Sequence, residues 1–470
     1  MPTPIMLRGV LATSAALLLA GCASTNPEAA LRASSDGARA LAGVDARLLR
    51  SDDDRRALAT EIDALVKQPL GLDAAVRIAV LNHPGLQARY WDAGIAQADL
   101  AQAARLRNPA FGFSRMSGGG STEIERGVSL DLAGLLTMPL RQRMATRRYE
   151  ETTLQVAAAI EQHAIATRRA WIEAVAAGQA LDYARQVAAA ADASSELMER
   201  MTLAGNASAL DLARESAFHA EAGAAVLRAG RARDAAREQL TRQLGLWGAQ
   251  AAYTLPERLP ELPAQAVAQG GIENLALARR LDVRAARAAA AGTAADLGLT
   301  RTTRMVNVLD LGYASKSETG QARSEGYEVS LELPLFDWGG ARVARAEGVY
   351  MQALGRVAES AVNARSQARA GYLGYRASYD VARHYRDHLI PLRQKIAQET
   401  LLRYNGMLAS PFELLADARD QAAAVHATIE ALKDFWLAEA DLEAALGGRL
   451  PAAAAAAPMH GPAHDHKEAQ

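Results

Sequence analysis

The sequence predicts a mainly α-helical protein with a small β part, and three observations carry this prediction. Alanine-rich segments with helical periodicity fill most of the 470 residues, and the longest of them run for about sixty residues. Four short segments instead alternate apolar and polar residues with the period of two that is typical of half-buried strands. The order of helix, hairpin and two long helices occurs twice, about 200 residues apart, which indicates an internal duplication.

Composition excludes several classes of protein. Hydrophobic residues make up 50% of the chain and aromatic residues only 5%, and alanine-rich helices with few bulky residues pack closely and build tubes rather than thick cores. The formal net charge is -1 without a block of basic residues, which argues against a nucleic-acid partner. Apart from Cys22 the sequence has no cysteine, and it has neither an HExxH motif nor a phosphate-binding glycine loop. We therefore expect no enzyme activity and no cofactor beyond a covalent lipid.

The N-terminus resembles the signal of a bacterial lipoprotein. An apolar run over residues 10–20 is too short to span a bilayer, and it ends in a Leu-Ala-Gly-Cys sequence similar to the lipobox. The resemblance implies a signal peptide at residues 1–21 and a covalent lipid, such as palmitate, on Cys22. The alternative is a plain secretory signal. Because Ala23 is not the aspartate that retains lipoproteins at the inner membrane, the outer membrane is implied.

The first half of the chain consists of a lead-in and one repeat. The lead-in, residues 22–70, is polar and is predicted to be extended or partly helical along the outside of the body. The first repeat, residues 71–250, begins with a predicted helix and a hairpin, which are followed by two long helices. The predicted bounds are 72–107 for the helix, 111–113 and 124–132 for the strands, and 140–203 and 208–246 for the long helices.

The second half repeats this order after a linker at residues 251–272 that contains three prolines. The second repeat covers residues 273–447, and a tail follows at residues 448–470. Pro391 lies inside the first long helix of this repeat and is expected to bend it. The predicted bounds are 306–313 and 327–333 for the strands, and 341–404 and 412–446 for the long helices.

The last predicted strand has the clearest pattern. Its apolar residues fall on one side and its polar residues on the other. Pro334 cannot donate to a strand ladder and a Gly-Gly pair follows at 339–340, so the strand ends there and a long helix begins. The apolar side consists of Tyr327, Val329, Leu331 and Leu333, and the polar side of Glu328, Ser330 and Glu332.

This block resembles the TolC family of outer-membrane channels, in which a last barrel strand runs into such a turn before the longest helix. Two further motifs support the resemblance. Residues 79–88 are similar to the opening motif A-x-x-x-N-P-x-L of the family, and residues 278–286 to RPD-x-R-A-A, with leucine at the usual proline. The resemblance covers about residues 72–447 of the chain.

The resemblance implies a TolC-like homotrimer in which an α-helical barrel continues into a twelve-stranded β-barrel, with four strands from each protomer. The number of strands supports a trimer, because four strands cannot close a barrel and an open edge in lipid leaves backbone groups unpaired. The implied function is a passive exit duct in the outer membrane, lipid-anchored and extending into the periplasm. Its implied partners are a periplasmic adaptor (membrane fusion) protein and an inner-membrane pump.

Two other functions stay open at this point. The same kind of channel serves as the exit duct of type I protein secretion, and a duct does not choose its cargo, which for efflux includes small solutes and metal ions such as copper. A periplasmic coiled-coil lipoprotein with a structural role is the second alternative. Phe336 and Trp338 argue against it, because an aromatic rim at the strand ends suits a membrane barrel.

The turn before the last long helix resembles the turn at the periplasmic end of TolC-family tubes, where acidic side chains form a constriction. The resemblance implies an anionic gate that contains Glu413, Asp417 and Tyr404. Ala416 occupies the usual second acidic position and Ala409 that of the latching arginine, so we expect a gate that is latched differently. The alternative is that Glu413 only stabilises the N-terminus of its helix.

Histidines supply two candidate metal sites. Imidazole and thioether groups are suitable ligands for copper or zinc, and the alternative for the tail is a flexible terminus without a metal. His384 and His388 lie four residues apart on a predicted helix and could share a metal ion, or could be solvated surface residues. The candidate ligands of the tail are Met459, His460, His464 and His466.

Overall fold

The structure is a computed structural model that describes residues 26–268, 270–305 and 308–450. In the first half, four helices precede a hairpin and two long helices follow it. The helices before the hairpin are α1 (Pro27–Ala42), α2 (Asp52–Val66), α3 (Leu72–Asn82) and α4 (Pro84–Ala103). The hairpin and the long helices are β1 (Ala110–Gly118), β2 (Ser121–Asp131), α5 (Leu132–Leu203) and α6 (Ala209–Leu244).

The second half repeats this order after the linker, as predicted. Its elements are α7 (Ile272–Arg279), α8 (Leu281–Thr303), β3 (Leu309–Glu318), β4 (Ser324–Leu331), α9 (Gly340–His384), a π turn (Tyr385–Leu389), α10 (Ile390–Asn405) and α11 (Pro411–Leu446). A short 3-10 turn, Gly248–Ala251, leads into the linker. The prediction of a mainly α-helical protein with a small β part is confirmed. Among the described residues, no helix combines the length and the apolar character needed to cross a membrane.

The helix predicted over residues 72–107 is divided in the structure. It ends at Asn82 and a new helix begins at Pro84, because the residue before a proline is driven out of the helical region and His83 is extended, with φ −64° and ψ 120°. The break is fixed from outside by Asn82, whose Nδ2 donates to the carbonyl oxygens of Leu244 and Gly245 at 3.0 and 2.8 Å. The end of α3 is thereby tied to the end of α6.

The long helix predicted over residues 341–404 is also divided. The prolyl ring of Pro391 cannot supply a backbone N–H and would clash with the carbonyl four residues earlier. The structure accommodates it with the π turn, in which the Ile390 N–H donates to the carbonyl of Tyr385, five residues back. The structure therefore shows a local widening of the helix next to Pro391, where the sequence predicts a bend.

Helix α5 starts at Leu132, earlier than predicted, because Asp131 caps it. The Oδ1 atom of Asp131 accepts a hydrogen bond from the Gly134 N–H at 2.5 Å. This N–H belongs to the first helical turn and has no acceptor within the helix, so the cap satisfies it. The helix then runs for 72 residues, on the order of 100 Å.

The strands of the second hairpin are shifted from their predicted bounds. Strand β3 extends to Glu318 because it pairs with β2 over residues 310–318, and Lys316 forms an ion pair with Glu123 of that strand at 2.7 Å. Residues 306–307, which begin the predicted strand, lie outside the described residues.

The core lies where the lead-in and the short helices meet the long ones. Trp171 of α5 is buried and its Nε1 donates to the Leu70 carbonyl at 2.7 Å. The lead-in is largely helical, and Ala30 and Leu31 of α1 are buried in the same cluster as Ile160 of α5. These contacts hold the lead-in against the body.

Candidate functional site

The four strands form one antiparallel sheet in the order β1-β2-β3-β4. Directly paired residues share a face, and the register places one apolar residue from each strand in a single row. These side chains are between 42% and 86% exposed in the protomer. The row consists of Phe111, Val128, Tyr313 and Tyr327.

The next rows on this face are also apolar. Leu130 pairs with Leu311, which in turn pairs with Val329, and Leu309 pairs with Leu331. The opposite face is polar or small, with Ser129, Gly312 and Glu328 in one row and Asp131, Asp310 and Ser330 in another. The sequence-based assignment of Val329 and Leu331 to one face and Glu328 and Ser330 to the other agrees with this register.

Both edges of the sheet are open within the described part of the chain. Strands β1 and β4 each pair on one side only, and their free sides carry unpaired backbone donors and acceptors. Beyond β4 the chain exposes Phe336 completely, at 100%, together with Trp338. An exposed apolar face, open edges and projecting aromatic residues occur together at this end of the molecule.

The far ends of the long helices close with equivalent turns. In the first half the Asn206 N–H donates to the Met201 carbonyl at 2.8 Å, and in the second half the Leu408 N–H donates to the Arg403 carbonyl at 2.8 Å. These bonds require a left-handed residue immediately before the donor. The constant spacing of the two turns places Met407 in that position, although the sequence suggests Gly406 as the counterpart of the glycine in the first turn.

The three predicted gate residues lie beside this second turn, but in different environments. Ser410 caps α11 by accepting from the Glu413 N–H at 3.2 Å, and the Glu413 carboxylate is exposed without a side-chain partner among the described residues. Asp417 is partly buried and accepts a hydrogen bond from Thr400 Oγ1. Tyr404 lies in the last turn of α10 and is 36% exposed. Of the two acids, Glu413 is therefore the one whose carboxylate is exposed and unpaired among the described residues.

The corresponding acid of the first turn is used differently. Asp211 of α6 forms a capping box with Ser208, since its Oδ2 accepts from the Ser208 N–H at 3.4 Å while the Asp211 N–H donates to the Ser208 Oγ at 3.2 Å. Glu413 makes no such reciprocal bond. Helix capping therefore accounts for the acid at the first turn and not for the carboxylate of Glu413.

Buried charges between the halves were not anticipated from the sequence. Glu161 of α5 is only 8% exposed, and its burial, together with the nearby carboxylate of Asp282, raises its pKa to about 7. Arg168, two turns later, forms an ion pair with Glu443 of α11 at 3.1 Å, and both side chains are buried. The sequence shows that these residues are acidic or basic, but it does not show that they are buried. Their burial depends on how α5 packs against α8 and α11.

Two histidines meet at the break between α3 and α4. The rings of His83 and His163 lie with their centroids 4.2 Å apart, and His163 Nε2 lies 2.9 Å from the Gln243 carbonyl oxygen. Burial, and secondly the neighbouring His83, lower the pKa of His163 to about 4. Both rings are therefore held neutral near pH 7, and the pair is satisfied by contacts within the protein.

Comparison with solved structures identifies the architecture. A membrane protein from Pseudomonas aeruginosa aligns with a TM-score of 0.68 and 20% identity over 82% of this chain and 93% of that chain. CusC aligns with a TM-score of 0.66 and 16% identity, over 83% of this chain and 92% of the CusC chain. The open state of the Neisseria gonorrhoeae MtrE outer membrane channel aligns with a TM-score of 0.66 and 19% identity, over 80% of this chain and 89% of that chain. No protein-family model and no curated protein matches the sequence.

The chain has the TolC-like channel fold. The predicted fold class is thereby confirmed, including its long helices and its four strands. In this TolC-like fold the open sheet and the paired turns at the opposite ends of the long helices are the two candidate functional regions. The gate roles of Glu413, Asp417 and Tyr404 stay predictions.

Several predicted features lie outside the described residues. These include the signal peptide at 1–21 and the tail beyond residue 450. The candidate lipid attachment residue and metal ligands among them are Cys22, Met459, His460, His464 and His466.

Proposed function

We propose that three copies of this chain form a channel in the outer membrane that acts as the passive exit duct of a tripartite efflux system. The observation that carries the proposal is the sheet, which has an exposed apolar face, a polar face and two open edges. Joining β1 of one copy to β4 of the next would pair both edges, and lipid would cover the apolar residues. Three copies would then enclose a polar lumen.

The long helices support a duct rather than a plain pore. They continue from the sheet for on the order of 100 Å and end in the turns that contain Asp211 and Glu413. With the sheet in the outer membrane, helices of this length would put those turns deep in the periplasm. A periplasmic adaptor and an inner-membrane pump are the partners that such a position suits.

The N-terminus is proposed to anchor each copy. Lipidation of Cys22 after removal of residues 1–21 would place the start of the lead-in at the membrane. The two lead-in helices pack against the body, so the segment would reach from the lipid to the level of α3 and α4. Outer-membrane localisation rests on the same proposal.

The cargo is proposed to be small solutes. The alternatives are metal ions such as copper, on the basis of His460, His464 and His466, and proteins exported by type I secretion. Loss of residues 459–470 is expected to lower metal tolerance only for a metal exporter. Loss of the whole protein is expected to sensitise cells to organic toxins for a drug-efflux duct.

The test of the channel proposal is assembly and conductance. Protein extracted from outer membranes in detergent is expected to have the mass of a trimer by light scattering and to give discrete conductance steps in planar bilayers. The control is the same preparation after dissociation by heat in denaturing detergent, which is expected to give no steps. A monomer that is released without detergent and does not conduct would instead support the periplasmic structural lipoprotein.

A further inference from the structure

A pair of histidines on the second-half helix lies apart from both candidate functional regions. His384 ends α9 and His388 lies within the π turn. Their ring centroids are 5.3 Å apart, and the planes are inclined by 44°. Both side chains are exposed in the protomer. The pair is therefore accessible to a dissolved ion.

The ring nitrogens of this pair are free to bind. Neither His384 nor His388 forms a hydrogen bond or an ion pair with any described residue, in contrast to His83 and His163, which are used inside the protein. A metal ligand must offer a nitrogen that no other group occupies, and no described residue occupies a ring nitrogen of His384 or His388. Both nitrogens of each ring are thus available.

The separation of the two rings also suits a shared ion. Imidazole nitrogens at about 2.0–2.1 Å from one metal place the ring centres roughly 4.5–5 Å apart for angles between square and tetrahedral. The observed distance between the ring centroids is 5.3 Å. Exposed side chains can close the small difference by rotating about χ1 and χ2. His388 lies within the π turn and His384 immediately before it.

We infer that His384 and His388 form a two-histidine site for a borderline divalent transition-metal ion, with Cu²⁺ bound more tightly than Zn²⁺ or Ni²⁺. Water would fill the other coordination positions, since no set of three His, Cys, Asp or Glu side chains within the described residues is placed to hold a metal. The site does not depend on the proposed channel function.

The surrounding charges define the selectivity. Asp387 is engaged by Arg386, with Nε to Oδ1 at 2.7 Å, and by Arg383, with Nε to Oδ2 at 3.3 Å. The Asp387 carboxylate is therefore engaged by arginine and not free to bind the ion, and the two guanidinium groups disfavour weakly coordinated cations. Hard ions such as Ca²⁺ and Mg²⁺, which need oxygen ligands, are expected not to bind.

The test is a copper titration of the full-length protein in which His460, His464 and His466 are all replaced by Ala, purified without a histidine tag. At pH 7.5 we expect one Cu²⁺ per protomer by calorimetry, with two equatorial nitrogens in the electron paramagnetic resonance spectrum. His384→Ala or His388→Ala should weaken binding at least tenfold.

The matched control is His426→Ala, which removes an exposed histidine of α11 and should leave binding unchanged. Unaltered binding in the His384→Ala and His388→Ala variants would overturn the site, and so would a stoichiometry near zero in the starting protein. Circular dichroism checks that each variant is folded. If an alanine variant unfolds, His384→Gln, which keeps the size of the side chain but binds copper poorly, answers the same question.

Discussion

Gly205 and Met407 occupy equivalent left-handed positions at the ends of α5 and α10, with φ of 77° and 58°. The first is the residue type that this conformation favours, and the second carries a long side chain there at a cost of about 1 kcal/mol. Met407 is 94% exposed, so packing within the protomer does not offset this cost.

Met407→Gly is therefore expected to stabilise the second turn by about 1 kcal/mol. Gly205→Ala should destabilise the first turn by a similar amount, because no atom lies within 4 Å of the added Cβ and the cost is one of backbone conformation alone. Thermal unfolding midpoints of the two variants should move in opposite directions. A lower midpoint for Met407→Gly would mean that the methionine side chain is held in the assembly.

Arginine at Leu331 should impair assembly, whereas arginine at Ser330 should be tolerated. The two residues lie on opposite faces of β4, and a charge on the lipid side of a barrel costs roughly 2–4 kcal/mol near the midplane. Trimer yield in detergent measures the first effect and single-channel conductance the second. Equal losses of trimer for both variants would contradict the assignment of the faces.

Glu413→Ala should lower the selectivity for cations in bilayer recordings and weaken block by multivalent cations. Three exposed carboxylates that converge on one axis would form an anionic ring, and the Glu413 carboxylate is exposed and has no partner within the described part of the chain. The control is Asp211→Ala, which removes a capping box and should reduce stability by about 1 kcal/mol. Unchanged selectivity for Glu413→Ala would leave this residue as a first-turn helix acid.

Acid should destabilise the junction of α3 and α4. The pKa of His163 is lowered to about 4, below the ordinary value of 6.5, so protons bind the unfolded chain first. The stability that this histidine contributes above pH 6.5 is lost as pH falls from 6.5 toward 4. Unfolding midpoints measured across this window should fall more steeply for the unaltered protein than for His163→Gln.

The contribution of Glu161 to stability should depend on pH in the opposite direction. Its pKa is raised to about 7, so the stability present below pH 4.5 is lost as pH rises from 4.5 to about 7. Glu161→Gln keeps the shape without the charge and should raise the unfolding midpoint at pH 8 while changing it little at pH 4.5. An equal change at both pH values would show that packing, and not ionisation, controls this position.

Cys22→Ala should prevent lipid attachment and removal of the signal at residues 1–21. Metabolic labelling with a radioactive fatty acid is expected to lose its signal, and the protein to migrate at the size of the uncleaved form. The proposed anchor would be wrong if labelling were undiminished.

The strand faces and the positions of the long helices were predictable because their signals are local. Alternation along residues 327–331 gives the same faces as the register of the whole sheet. Helix breaks were harder to predict. The motif around Pro84 suggested an opening helix, and only the extended backbone of His83 shows that two helices meet there.

Burial of charge could not be predicted from sequence. Glu161 lies in an alanine-rich helix whose pattern does not identify a buried side, and its environment is created by Asp282 and Arg280, more than a hundred residues later. The same holds for Glu215, which receives hydrogen bonds from Ser194 and Arg419. Long-range packing of the two halves, and not local sequence, determines these contacts.

Beyond the π turn, α10 is out of phase with α9. A π turn inserts a residue into the helix, and each α-helical residue advances the helix by about 100° around its axis. The side that α10 presents to α11 is therefore rotated from the side used by α9, whereas α5 keeps one phase over 72 residues. Three copies would bring together six helical hairpins, three formed by α5 and α6 and three by α10 and α11. Their tips would then be related by three-fold and not six-fold symmetry. A partner protein that docked on all six hairpins would have to bind two different kinds of tip in alternation.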